Sequence, residues 1–178
     1  YIGKGMHGGK IIINSKNEGE EFAASGDTCL YGATGGKLYI SGSVGERFAV
    51  RNSGALAVVD GTGDNACEYM TGGIVVILGR TGINFGAGMT GGISFVYDAD
   101  HSFVENVNHE LVEAVRIDTD EGSDARHLLK KLLKDYIVET ESKKAKELLD
   151  NFRVEVRNFW LIKPKNLTKL PLNIEKGD

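Results

Sequence analysis

Apolar residues in the first hundred positions fall in short bursts set between glycines, and the bursts recur at a nearly constant spacing. The runs IIIN, KLYIS, LAVVD, IVVIL and ISFVY are rich in Ile, Val, Tyr and Phe and too short for buried helices, so each is predicted to be a strand. Four segments align beneath one another with almost no gaps: 26–44, 45–62, 63–81 and 82–100, starting 19, 18 and 19 residues apart. Each opens on Gly and reaches a second Gly nine residues on, at Gly35, Gly54, Gly72 and Gly91, and Gly42, Gly61 and Gly79 close the first three apolar runs. Sliding Gly8 under Gly35 brings YIGKGMHGGKIIIN into the same register, with the polar stretch NSKNEGEEF as a surface loop.

A fixed short period marks a solenoid, whose units bury a core only by stacking. Stacking these units puts Ile12, Tyr39, Val58, Val76 and Phe95 in one column and Ile13, Ile40, Val59, Ile77 and Val96 in the next. Columns of like residues on strands paired one coil apart describe an all-β solenoid, a parallel β-helix of about five turns running to about Asp100. Thr34, Ser53, Thr71 and Thr90 are placed to form a hydroxyl ladder at a corner. The glycines that follow them, Gly72 among them, are expected at positive φ, where a coil turns sharply.

Beyond Asp100 the period stops. SDARHLLKKLLKDYIVET places Leu128, Leu129, Leu132, Leu133, Tyr136 and Ile137 on one helical face, with Ser123 as N-cap. A second helix is expected from Ser142, with Ala145, Leu148, Leu149 and Phe152 apolar, and Phe159–Ile162 form an extended run halted by Pro164. A β-helix leaves two open ends, so residues 105–178 are read as a helical cap and tail on a solenoid of residues 1–104. The last dozen residues are expected to need a partner to order them.

Composition narrows the classes. The 178 residues, 41% hydrophobic, suit a globular domain, and a net charge of -4 argues against a nucleic-acid binder. No apolar stretch reaches membrane-spanning length. The first residue is Tyr, which suggests processing or excision from a longer chain. Cys29 and Cys67 fall two coils apart and are expected as buried thiols in a reducing, cytoplasmic compartment, without a bridge.

Candidate chemistry is thin. Gly3-x-Gly5-x-x-Gly8 and Gly86-x-Gly88-x-x-Gly91 satisfy GxGxxG, but the third Gly leads into a strand, where a dinucleotide site needs a helix N-terminus. His7, His101, His109 and His127 are scattered; Asp98, Asp100, His101, Glu105 and His109 crowd the end of the solenoid without ligand spacing. Arg47, Arg51, Asp64, Glu68 and Arg80 interrupt the apolar repeat, either as solvated side chains or as a docking patch, with Arg51 and Glu68 placed to pair across coils. No catalytic, cofactor-binding or metal residue is assigned.

GERFAVRNSG (45–54), CEYMTGG (67–73) and GAGMTGG (86–92), with YIGKGMHGGKIII and LYGATGGKLYISG, resemble the C-terminal GXGXG domain of the glutamate synthase large (alpha) subunit. The likeness extends more weakly through YIVETESKKAKELL to FWLIKP. It implies a right-handed β-helix with no catalytic residue of its own. The partners it implies are a glutaminase domain and a synthase domain carrying FMN and a 3Fe-4S cluster, which together convert glutamine and 2-oxoglutarate into glutamate. Two isolated cysteines cannot hold such a cluster here. One alternative is a β-helix assembly subunit of another redox complex, similar to the β-helix subunit of formylmethanofuran dehydrogenase. A left-handed β-helix acyltransferase fits less well, because its aliphatics recur every six residues around three sides.

Overall fold

The computed structural model of the chain describes residues 1–15 and 23–170. The loop expected at NSKNEGEEF falls mostly, and the last eight residues of the expected loose tail fall wholly, outside the described residues. Strands β1 (His7–Asn14), β3 (Gly35–Val44), β4 (Ser53–Gly61), β5 (Thr71–Ile77) and β6 (Gly91–Tyr97) pair in parallel, in chain order. Four coil-to-coil steps join these five strands, so the solenoid makes about four turns. The short β2 (Ala23–Ser25) pairs with the end of β3. Both anticipated columns form: Ile12 pairs with Tyr39, Tyr39 with Val58, Val58 with Val76 and Val76 with Phe95, and the neighbouring column keeps the same register.

The apolar runs are continuous because this sheet is buried on both faces. Leu38, Ile40, Ala57, Val59, Val75, Ile77 and Val96 point into the coil with Cys29, Leu30, Phe48, Cys67, Met70 and Phe85. Tyr39, Leu56, Val58, Ile74, Val76, Ile93 and Phe95 point the other way, under Leu129, Leu132, Leu133 and Tyr136 of helix α1 (Ser123–Thr140). Each such aliphatic side chain withdrawn from water contributes roughly 1.5–3 kcal/mol. The helical segment is therefore a lid over one face of the sheet. Tyr136 fixes it: its hydroxyl donates to Ile40 O at 2.8 Å and its ring meets Tyr39 edge-on.

Ser123 is not the N-cap. It already has helical dihedrals, Gly122 occupies the cap position, and Arg126 Nη1 ties the entry by donating to Ile117 O and Thr119 O. Glu141 closes α1 in a left-handed conformation at φ 55°, and Ser142 caps α2 (Lys143–Asp150) by accepting from Ala145 N. A one-turn helix, α3 (Phe152–Glu155), leads into β8 (Phe159–Pro164). The extended run is thus a strand, antiparallel to β6 and to β7 (Val112–Arg116), and it seals the β6 edge that a parallel repeat leaves open.

Candidate functional site

The wall of each coil opposite the strands is the most unusual part of the molecule. At positions two apart the backbone is left-handed: Gly3 and Gly5; Thr28, Leu30 and Gly32; Arg47, Ala49 and Arg51; Asn65, Cys67 and Tyr69; Asn84, Gly86 and Gly88, all with φ between 53° and 74°. A left-handed non-glycine residue costs roughly 1–2 kcal/mol and persists only where its surroundings impose it. The imposing contacts are hydrogen bonds between coils. Ala49 N–H donates back to Cys29 O (2.8 Å), whereas Arg47 and Arg51 N–H donate forward to Asp64 O (2.8 Å) and Glu68 O (2.9 Å). The pattern repeats one coil on, where Cys67 donates back to Phe48 O and Asn65 and Tyr69 donate forward to Ile83 O and Ala87 O. Each rung is stitched to both neighbours.

The paired glycines at the strand entrances divide the work in a way that corrects the expectation for Gly72. Gly35, Gly54, Gly72 and Gly91 do not lie at positive φ; a methyl group on them would sit 2.7, 2.2, 2.1 and 2.0 Å from the carbonyl oxygen of His7, Thr34, Ser53 and Thr71 in the preceding coil. They are glycine because backbone passes over backbone. The second glycine takes the left-handed turn, at Gly9, Gly36, Gly73 and Gly92. The second coil of the aligned repeat has Ala55 there, and buried Asn52 supports it, accepting from Gly54 N and Ala55 N and donating to Ala55 O.

The charged and hydroxyl residues singled out above are distributed around this frame. Arg51 and Glu68 meet through the backbone bond just given, with no ion pair between them among the described residues. Arg80 Nε lies 3.4 Å from Asp100 Oδ2 at the surface. Asp64 Oδ1 accepts from Ile83 N at 2.9 Å, and Asp27 Oδ1 accepts from Glu46 N at 2.8 Å, so these carboxylates bridge coils too. The hydroxyl ladder does not form as anticipated. Ser53 Oγ donates to the backbone at Ala33 O, and the side-chain ladder runs instead through Asn65, Asn84 and Asn108, with amide bonds of 3.0 and 3.1 Å.

The crowded junction at the end of the solenoid is structural. Buried Asp98 accepts from Ser102 N, Phe103 N and Trp160 Nε1, joining the last coil to β8. His109 Nε2 lies 3.0 Å from Val104 O, while His101, Glu105 and His127 are exposed. Among the described residues no group of three or more His, Cys, Asp or Glu is arranged to hold a metal. Cys29 and Cys67 are buried and unbridged, and burial pushes the Cys67 thiol up to about 12, which keeps it protonated and inert at neutral pH. The two GxGxxG stretches occupy one register, and each leads into a strand rather than a helix.

Two open grooves lie at the capped end. One, of about 720 Å³, runs between β7, β8 and the start of α1, where the Arg116 guanidinium stacks 3.5 Å from the Trp160 ring centre. The other, of about 570 Å³, lies beside Asp98, Arg80 and Lys144. The Lys144 ammonium is tucked against Gly79, and burial lowers its affinity for a proton, offset in part by Asp60.

Residues 1–165 match the family described as the GXGXG motif. The chain belongs to that family. The spaced glycine pairs Gly3 and Gly5, in the first coil, and Gly86 and Gly88, in the last, all lie at left-handed sites. The chain is 48% identical over 92% of its length to the ferredoxin-dependent glutamate synthase of Antithamnion sp.. It is 46% identical over 99% to the glutamate synthase [NADPH] large chain of Azospirillum brasilense, and 45% identical over 96% to the chloroplastic ferredoxin-dependent enzyme of Spinacia oleracea. It spans only 11 to 12% of the length of these relatives. No helix among the described residues is long and apolar enough to cross a membrane.

Proposed function

We propose that this GXGXG unit is a non-catalytic scaffold of a glutamate synthase, the enzyme that makes two glutamates from glutamine and 2-oxoglutarate. The observation that carries the reading is where the polar groups are used. Most left-handed N–H groups of the ribbon, with Asp27, Asp64 and the asparagine ladder, join one rung to the next, Asn52 ties the strand entrance of its own coil, and Asp98 joins the last rung to its cap. Polar groups used in this way serve the construction of the rod, which is what a scaffold requires. The correspondence to about a ninth of much longer enzymes supports the same reading.

In this reading residues 1–104 are the rod and 105–178 its cap and tail. Glutamine hydrolysis belongs to a glutaminase domain, and the flavin and iron–sulfur chemistry to an FMN-binding synthase domain. Both domains are held by this unit, in the same chain or in separate ones. The buried reduced thiols accord with a cytoplasmic or equally reducing compartment. The test compares the catalytic parts with and without this unit. The scaffold reading expects the purified chain alone to be inactive, and coupled transfer of ammonia from glutamine to 2-oxoglutarate to be lost when the unit is deleted. Glutaminase activity or glutamate formation by the chain alone would overturn it.

A further inference from the structure

The groove of about 720 Å³ between β7, β8 and the start of α1 has an apolar floor. Val115, Ile117, Ala125 and Leu161 line it, and all four belong to the cluster beneath α1. Among the described residues β7 pairs only with β8, so it ends the sheet on this side. The chain itself enters this groove. It leaves β8 at Pro164, where the Lys165 N–H donates to Leu111 O and the Leu167 N–H to Pro164 O, and residues 167–170 then line the groove. Leu167 and Leu170 pack against the same apolar cluster yet are only partly buried.

Residues 171–174, which lie outside the described residues, read Pro-Leu-Asn-Ile. Pro171 disfavours helical backbone at Leu170 and fixes its own φ near about −65°, so the sequence favours an extended course. Extended chain sends alternate side chains to one side, which puts Leu172 and Ile174 on the face of Leu170. No charge falls between Leu170 and Ile174, so laying this stretch on an apolar floor withdraws no ionised group from water. We infer that residues 171–174 close the groove as a strap, with Leu172 and Ile174 over Val115, Ile117 and Ala125. From Leu170 to Ile174 an extended chain reaches about 13 Å, the same four steps that β7 makes from Val112 to Arg116. The unit's own continuation is favoured over a strand from elsewhere or a second copy. Leu172 stands two residues from a side chain already in the groove, and so short a tether sets an effective concentration on the order of millimolar. The partner that the sequence leads one to expect for the tail is then a groove of the same unit.

The test does not depend on activity, so it stands apart from the scaffold reading. Hydrogen exchange is followed by mass spectrometry in the glutamate synthase large chain, or complex of chains, that contains this unit, with β4 as the reference for an intact fold. The strap predicts that the amides of residues 172–174 exchange at least about 10-fold slower than in the free peptide. Leu172→Asp combined with Ile174→Asp should abolish that protection and speed exchange at residues 115–117 as well, while β4 stays unchanged. Tail amides that exchange at the free-peptide rate in the unsubstituted chain would overturn the inference. So would a protected tail whose substitution leaves residues 115–117 unmoved, which would seat it on another surface. Protection of residues 115–117 that appears only as the unit dimerises would give the groove to a second copy and overturn it too.

Discussion

Each coil has two walls, and they are held by different physics. The strand wall is ordinary parallel sheet, stabilised by removing aliphatic side chains from water on both faces, inside the coil and beneath α1. The ribbon wall has left-handed residues at alternate positions, hydrogen bonds that run alternately back and forward, and side chains as different as Arg51, Tyr69 and Gly88 at one place in the repeat. The strand wall tolerates any aliphatic residue of suitable volume and no charge. The ribbon wall tolerates nearly any side chain at its rim, because backbone geometry is what it fixes. A surface that accepts varied side chains without losing its course is well suited to meeting other domains.

The strongest way to break the contrast is at the seam between the walls. Gly91→Ala places a methyl group 2.0 Å from Thr71 O, and neither backbone can yield without unpairing β5 from β6. Loss of more than about 4 kcal/mol is expected, seen as aggregation or failure to recover folded protein. An unchanged denaturation midpoint would show that the coils are not in backbone contact. Next, Asn52→Ala removes the side chain that serves two N–H groups and one carbonyl at the seam lacking a left-handed glycine. About 2–3 kcal/mol should be lost in urea titrations, since buried groups are left without partners. The companion Ala55→Gly in that background should recover part of it.

The strand wall and its lid should fail in alkali. Burial, followed by the Asp135 and Glu139 carboxylates, pushes Tyr39 up to about 12, and burial and Glu155 do the same to Tyr97; burial and Asp60 raise Tyr136 further. A phenol whose folded pKa is raised stabilises the fold fully below its unfolded value near 10. That contribution is then lost as pH rises toward 12. Unfolding between about pH 10 and 12, coincident with phenolate formation at Tyr39, Tyr97 and Tyr136, is expected; ionisation of these three near 10 without unfolding would contradict the burial of the lid. The smallest effect has the opposite sign. Arg51→Gly relieves a left-handed backbone at an exposed site, and a gain of about 0.5 kcal/mol is expected after the added chain entropy of glycine is subtracted. Destabilisation there would mean that the Arg51 side chain itself supports the ribbon.

The strand wall is legible in the sequence because its physics is compositional. A run such as IVVIL between glycines, repeated every 18 or 19 residues, admits little else, and the register of its columns follows from the alignment. The ribbon wall is not legible in that way, because Thr28, Leu30, Arg47, Ala49 and Cys67 carry no preference for left-handed backbone. Only Gly3, Gly5, Gly32, Gly86 and Gly88, with Asn65 and Asn84, betray it, and the signal becomes visible when those residues are projected through the repeat onto the other coils. Gly72 misleads for a related reason: sequence shows that a side chain is excluded, and not whether φ or a neighbouring carbonyl excludes it. The β7–β8 cap has no local signature, because VEAVR and FWLIKP lie more than 40 residues apart and pair only in three dimensions. Of the residues weighed as a candidate site, Asp98 and Asp64 prove to be structural bridges, and Asn52, which carries more of the seam than either, has no motif to mark it.

Nuclear magnetic resonance can see the stitching itself. Couplings transmitted across hydrogen bonds should link Ala49 N–H to the carbonyl of Cys29, one coil back, and Arg47 and Arg51 N–H to those of Asp64 and Glu68, one coil forward. Their absence, or couplings confined within a single coil, would contradict a rod whose rungs are locked to both neighbours through left-handed backbone.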